Sequence, residues 1–501
     1  MAITLGLDIG TTSTIGILIN ATGQTLALAS RPVTLHSEHP GWAEEDPEEW
    51  WRNVCDLVPE LLTKSGRSAA DIGAVGVTGM LPAVVLLDRS KKLLRRSIQQ
   101  SDGRVGREVE AIAGEVDADD FVRRTGNGIN QQLVATKLRW LERHEPDVFA
   151  NIKTVFGSYD YINWRLTGER VIEHNWALEA GFLGLSSRRL DAGLVGVGHI
   201  DPGVLPPVRA SHEIIGQVTP EAARLTGLAV GTPVIAGSAD HITSAFVAGI
   251  RKDGDCLIKF GGAGDIMLAA ASPKPDPRLF LDFHIVPGKF MPNGCMACSG
   301  AVLNWILSAL AGQAIQAEKN PHSALDRLAA EIAPGADGLL MLPYFLGEKT
   351  PIHDPDARGT LVGLGLHHDI GHIWRAALEA VVFGFRHHMD VFSDLGQPAT
   401  RLYASDGGAK SQIWMQIAAD SLGLPVHLLK GHPGSCLGAA YIAAFAIGAV
   451  DDWDGISRFV TPADVVEPDT RHRARYDALY QAYRETYERL RPVYPKLADL
   501  P

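Results

Sequence analysis

The sequence predicts an α/β fold built from two similar halves, and three observations carry that prediction. Short apolar runs bounded by Gly, Thr and Ser alternate with helical patterns along the chain. A strand, glycine turn, strand layout at residues 3–19 returns at 256–269, and a related element follows at 402–411. The 501 residues, 46% apolar and 21% charged, have the composition of a folded globular protein with room for about two to four domains.

Residues 3–29 read as a β-meander whose second turn is Ala21-Thr22-Gly23-Gln24. A helix starts at Asp46-Pro47, where an N-cap acid, a first-turn proline and Glu48-Glu49 suit the positive end of the dipole. It continues through Trp50, Trp51, Val54, Leu57, Val58 and Leu61. Ile72–Thr78 is a buried parallel strand, broken from the next strand at Val84–Leu87 by Met80-Leu81-Pro82. Such a break lies at a strand end, where α/β folds place ligands. Helices are expected at 104–113, 131–144, 158–166 and 220–226, and a strand at 233–237 leads into a helix at 240–248. A second half opens near residue 247. From Asp451 to Pro501 the chain reads as charged, helical and peripheral.

Net charge is −12, with no long block of either sign, which disfavours a general nucleic-acid binder. Five cysteines in so long a chain fit a reducing compartment, with the cytoplasm as the default. The start, MAITLGLDIGTTST, lacks the pattern of an export signal. The longest apolar stretch, Leu437–Val450, is too short for a spanning helix and reads as a buried one, so no membrane association is expected.

Several motifs have a chemical reading beside a plain one. Asp8-Ile9-Gly10-Thr11-Thr12 puts an acid at a strand end before a turn of small residues. Its backbone N–H groups suit a phosphate and its carboxylate suits Mg²⁺, while a simple hairpin turn is the alternative. Asp240, after the strand at 233–237, is either a helix cap or a catalytic acid. The loops Gly261–Gly264 and Gly407-Gly408 allow close approach of a nucleotide, or are only turns. Gly434-Ser435-Cys436-Leu437-Gly438, after His432-Pro433, is an anion site or a tightly packed helix start. Cys295-Met296-Ala297-Cys298 has no second pair at zinc spacing, and His367-His368 and His387-His388 lack a metal constellation.

Taken together, these residues resemble the FGGY family of carbohydrate kinases over about residues 3–450. The most specific stretch is Gly359–Leu364 followed after seven residues by His372–Glu379, which resembles the family's C-terminal signature; Leu342–Pro351 and Gly407-Gly408-Ala409 with Trp414, Gln416, Ala419 and Asp420 support it. The resemblance implies two actin-like, ribonuclease-H-like domains with a catalytic cleft between them. Residues 1–246 would hold mainly sugar, 247–450 mainly ATP, and 451–501 would be a helical extension. It further implies Asp240 as the base that takes the proton of the attacking hydroxyl, and Asp8, with Asp240, as the Mg²⁺ site reached through water. Gly10, Thr11 and Thr12 would face the phosphates. Gly261, Gly262, Gly300, Asn304, Gly407, Gly408 and Gln412 fall at nucleotide positions, and Met80, Leu81, Pro82, Asp102, Arg104, Asp240 and His241 at sugar positions.

Two departures bear on substrate. Where members resembling xylulokinase carry Gln-Met-His-Gly, this chain has Met80-Leu81-Pro82-Ala83, so a sugar-contacting His is absent and Pro82 has no N–H to give. Where many relatives have Thr-Ser, it has Gly262-Ala263. The implied activity is Mg²⁺- and ATP-dependent phosphorylation of a small sugar or polyol, a ketopentose first, with a homodimer as a family expectation. A sugar sensor without transfer activity and an actin- or Hsp70-like ATPase switch are the alternatives.

Overall fold

The computed structural model describes residues 2–430 and 434–498. His432-Pro433, the lead-in to the Gly434 segment, lies outside them. The chain divides into two units: Met1–Arg251, Ser272–Met291 and His432–Val460 in the first, and Lys252–Ala271, Pro292–Gly431 and Thr461–Pro501 in the second.

In the first unit Ile3–Ile9, Ser13–Asn20 and Thr25–Pro32 form the expected antiparallel meander. Its second turn is held by Asn20 Oδ1, which accepts from the N–H groups of Thr22 and Gln24. Ile72–Gly79 runs parallel beside Ile3–Ile9, Pro233–Ile235 parallel beside that, and Ile214–Gln217 antiparallel at the edge. The crossover between the first two parallel strands includes the helix Pro47–Ser65. Its Asp46 cap accepts from Glu48 N–H, and Gly66 ends it at φ 64°. The helix Ser435–Ala446 lies directly on the sheet, its first ten residues buried. A Cβ on Gly6 would stand 2.0 Å from the Cys436 carbonyl oxygen, and one on Gly76 2.2 Å from that of Ala439. The Gly434 segment is therefore a tightly packed helix start, the plainer of its two readings.

In the second unit Asp255–Phe260 and Gly264–Leu268 form a hairpin extended by residues 293–296 of the strand Phe290–Met296. Arg401–Ser405 and Val426–Lys430 follow in parallel on the other side, and Thr461–Val466 closes the edge antiparallel. Six strands of this sheet repeat the spatial layout and polarity of the first unit's, although the edge strand follows its neighbour in sequence here and precedes it there, so the duplication suggested by the repeated glycine turns is present in the layout of the sheets.

The signature at 359–379 is structural. Arg375, on the helix Ile370–Asp394, bonds Glu379, the carbonyls of Ala329 and Ile332, and Tyr476, while Glu379 accepts from Gly335 N–H. Residues 451–501 are not wholly helical or peripheral. Thr461–Val466 is a sheet strand, and Pro462 is tolerated there because the strand is at an edge. The helix Arg473–Leu490 buries Tyr476, Tyr480, Tyr483 and Tyr487 along one face. Among the described residues no helix is long and apolar enough to cross a membrane.

Candidate active site

Asp8 and Asp240 leave the first unit's sheet at the same end. Ile9 pairs with Gly79 on one side of the strand Ile72–Gly79, and Ala239, in the short strand Ser238–Ala239, pairs with Gly79 on the other. Two inter-strand steps, about 10 Å, therefore separate the backbones that carry the two acids. Asp8 is 9% exposed, and its Oδ2 accepts a 2.6 Å bond from Ser435 Oγ. The turn after it is closed by Gly10 N–H to the Ser13 carbonyl at 3.1 Å, leaving Thr11 half-buried and Thr12 exposed.

Asp240 opens the helix Asp240–Ala248 rather than capping it, and its side chain is 37% exposed. Its position is set from below. Gly237 sits at φ 80°, and a Cβ there would come within 1.8 Å of the Val77 carbonyl oxygen. Thr78 Oγ1 donates to the Ser238 carbonyl and Thr243 Oγ1 to that of Ala239. Next to it, His241 Nδ1 lies 3.6 Å from Asp240, and Nε2 lies 3.0 Å from Asp282 and 3.9 Å from Glu179. Burial alone would lower the imidazole's pKa, but the bonds to Asp240 and Asp282 and the charge of Glu179 raise it well above the usual value. Burial, helped by Asp282, holds the Glu179 carboxyl well above the ordinary carboxylate range. Glu179, His241 and Asp282 also bring donor atoms within 4.8 Å of one another, a set able to hold a divalent ion.

The remaining sugar-side positions are packed into the fold. Met80, Leu81, Pro82 and Ala83 are buried, and three of their carbonyls are taken: Met80 by Ser158 Oγ, Pro82 by Lys137 Nζ and Ala83 by Trp176 Nε1. The side chains of this segment are all apolar. Asp102 and Arg104 form a buried two-bond pair at 2.7 and 2.8 Å. Asp102 also accepts from Ala43 N–H, Arg104 bonds Glu44, and the guanidinium stacks 3.7 Å from the Trp42 centroid. Lys137 is fully buried, and desolvation pushes its ammonium down to about 7 against the pull of Asp102 and Glu179.

In the second unit the loop after Asp255–Phe260 meets the start of the helix Gly300–Ala309. Gly300 N–H donates to the Gly261 carbonyl, and the N–H groups of Ser299 and Ala301 to that of Gly262. The first donors of this helix are thereby consumed by the loop. A Cβ on Gly300 would press on that same Gly261 oxygen at 2.8 Å, whereas one on Gly262 would meet nothing within 4 Å. The Gly262 departure therefore leaves space where a longer side chain fits. Asp406 stands at φ 72° beside Gly261, ending the strand Arg401–Ser405. Gly407 meets open space, but Gly408 is wedged against Trp414 and Phe260, where a Cβ would come within 2.6 Å of both. Gln412 starts the next helix and, with Lys410, Ser411, Gln416, Asp326 and Arg327, lines a cavity of about 820 Å³. That volume is in the range of small-molecule sites. Asn304 accepts from or donates to His322 at 2.9 Å, one residue from Ser323 in the cavity wall.

Sequence reasoning passed over Glu179, Asp282, Lys137 and Asp406. The signal for Asp282 is an acid inside the apolar run LFLDFHI, and for Glu179 an acid at the end of an apolar helix, where the dipole disfavours it. Of the histidines, His388 is buried against Thr350 and Gly384, and Cys295 and Cys298 are free thiols whose pKa burial pushes up.

Residues 3–247 match the N-terminal domain and 258–447 the C-terminal domain of the FGGY family of carbohydrate kinases. The crystal structure of xylulose kinase from Rhodospirillum rubrum is 53% identical, covers 98% of this chain and 99% of its own, and superposes with a TM-score of 0.93. The xylulose kinase of Bacillus subtilis (strain 168) is 28% identical over 97% of both chains, and the gluconokinase of the same organism 28% identical over 99% of this chain and 95% of its own. With both domains matched in order over sheets of the same layout, the chain belongs to the FGGY family of carbohydrate kinases, enzymes that use ATP and a divalent metal to phosphorylate a sugar hydroxyl.

Proposed function

We propose that this protein transfers the γ-phosphoryl group of ATP, with Mg²⁺, to a hydroxyl of a small neutral sugar, a ketopentose such as xylulose first. The observation that carries this reading is Asp240, half-exposed at the end of the sheet from which Asp8 also emerges and fixed there by Gly237 and Thr243. The 53% identical xylulose kinase from Rhodospirillum rubrum supports the choice of sugar. The five cysteines, all free, suit the cytoplasm.

In this reading Asp240 accepts the proton of the attacking hydroxyl as it closes on the phosphorus in line. Asp8 offers a hard oxygen donor of the kind Mg²⁺ prefers, one or two carboxylates with the remaining positions left to water and phosphate. The bound ion supplies neutralisation of charge on the transferred oxygens. Gly10, Thr11 and Thr12 present small side chains and backbone N–H groups to the phosphates. The 820 Å³ cavity beside Gln412 takes the nucleoside. Asp102 and Arg104, bonded to each other and to neighbours, act as a rigid support rather than as contacts.

The test is ADP release with Mg²⁺-ATP across ketopentoses, polyols and aldonates, for wild type and Asp240→Asn. Sugar-dependent turnover that falls by about 10³-fold in the variant, with an unchanged melting temperature, is expected. Turnover retained above a tenth of wild type would remove Asp240 from the chemistry. Sugar binding without turnover in wild type would favour a sensor.

A further inference from the structure

Two acids that the transfer chemistry leaves without a role meet His241, one of the expected sugar positions, beside Asp240 in the first unit. Glu179 ends the helix His174–Glu179, His241 is the second residue of the helix Asp240–Ala248, and Asp282 lies within the strand Phe280–Phe283. The imidazole spans from Asp240 on one side to the two acids on the other.

Both acids stand where a carboxyl group is costly. A carboxyl group at a helix C-terminus faces the unfavourable end of the dipole, and a fully buried Asp in an apolar strand loses its hydration. Yet Asp282 is held with unusual rigidity. Asn127 donates to the Leu281 carbonyl and accepts from Leu281 N–H, both at 3.0 Å, and Asn175 does the same with Phe283 at 3.1 and 2.7 Å. Each asparagine amide acts as a length of pairing strand on either side of Asp282. Asn175 belongs to the same helix as Glu179, so the two acids are locked in one geometry. Preorganisation of this kind marks residues that recognise something.

His241 keeps 21% and Glu179 11% of the side chain exposed, with Asp282 at 0% behind them. The neighbouring Met80–Ala83 segment carries no polar side chain, Pro82 has no N–H, and the carbonyls of Met80, Pro82 and Ala83 are bonded inward. His241 and Glu179 place polar side-chain atoms beside Asp240.

We propose that Glu179, His241 and Asp282 are the specificity-determining wall of the acceptor site, reading a second hydroxyl of a neutral ketose or polyol and rejecting acceptors that carry a carboxylate there. A hydroxyl both donates and accepts, so it satisfies an imidazole and a carboxyl group at once. A carboxylate meets Asp240 and Asp282 against a single imidazole, a repulsive arrangement that excludes it without weakening neutral acceptors. The proposal rests on the phosphoryl-transfer reading, which makes Asp240 the point of reaction.

The experiment compares wild type, Glu179→Gln and Asp282→Asn in ADP release with D-xylulose, D-ribulose, xylitol and D-gluconate, alongside calorimetric titration of each acceptor without ATP. Wild type is expected to prefer its best neutral acceptor over D-gluconate by about 100-fold or more. In both variants kcat/KM for that acceptor falls by about tenfold, chiefly through KM, and the preference narrows by a similar factor. Glu179→Gln, isosteric and partly exposed, carries the test should Asp282→Asn fail to fold. Turnover with unchanged KM and unchanged preference overturns the wall while leaving the kinase intact, as does a wild type that prefers D-gluconate. If no acceptor drives ADP release but neutral-sugar binding weakens tenfold in Glu179→Gln, the transfer reading falls and the wall stands. If wild type binds none of the four, the wall falls.

Discussion

Gly237 decides where Asp240 sits. Its φ of 80° is a region L-residues avoid, and the Val77 carbonyl occupies the place of a Cβ. Gly237→Ala should cost about 3 kcal/mol, the range of left-handed strain plus overpacking, read as a lowered denaturant midpoint. Because the displaced residues lead straight into Ser238–Ala239, activity should fall further than stability when measured under conditions where the variant remains folded. A variant as stable and active as wild type would show that the turn has freedom the tight contact denies. Asp8 and Asp240 were legible because each follows an apolar run beside small residues, Gly10-Thr11-Thr12 after Asp8 and Gly237-Ser238-Ala239 before Asp240. Glu179 and Asp282 were not, because their meaning lies in each other and in His241, residues far apart in sequence.

At the scale of elements, the six-residue helix His174–Glu179 shows how the first unit handles buried charge. Glu173 caps it, accepting from the N–H groups of Asn175 and Trp176, and also bonds Tyr159 and Ser211. Burial pushes its carboxyl up to about 8, outweighing the bond from Ser211, and burial likewise lifts Asp160 to about 7. A carboxyl raised above its unfolded value near 4.5 binds its proton more tightly when folded. Its contribution is complete below that value and is lost as pH rises through about 8. Wild type should therefore lose more stability than Glu173→Gln between pH 5 and 8.5, a difference of a few kcal/mol in paired denaturation curves. Parallel curves for the two proteins would mean that Glu173 is ionised throughout. Elements bounded by local chemistry, such as the helices begun by Asp46-Pro47 and ended by Gly249, could be read from the sequence. The strand Thr461–Val466 could not, since what makes it a strand is its distant partner Val426–Lys430.

Over the whole molecule, two sheets that share a six-strand layout are assembled from a chain that moves between units several times. The repeated glycine turns announced the duplication, but not that residues 432–460 return to the first unit, because linear order carries no record of that crossing. The return is substantial: the helix Ser435–Ala446 covers the strands Ile3–Ile9 and Ile72–Gly79 through Gly6 and Gly76. A fragment comprising 2–251 alone should leave that apolar face open and be recovered aggregated or molten. Co-expression with the rest of the chain should restore soluble material if the covering helix is what it lacks. A monomeric, cooperatively melting fragment would show that the sheet is stable uncovered.

That covering helix also sets a timetable. A ribosome that has just finished the first 251 residues must add the whole of 252–431 before Ser435 is made. At about 5–20 residues per second the interval is roughly 10–40 s. Throughout it the nascent chain displays the sheet face that Gly6 and Gly76 have shaped for a helix not yet synthesised. The protein's most vulnerable state is thus one that a finished molecule never revisits, and its yield in a cell depends on what shields nascent chains during those seconds.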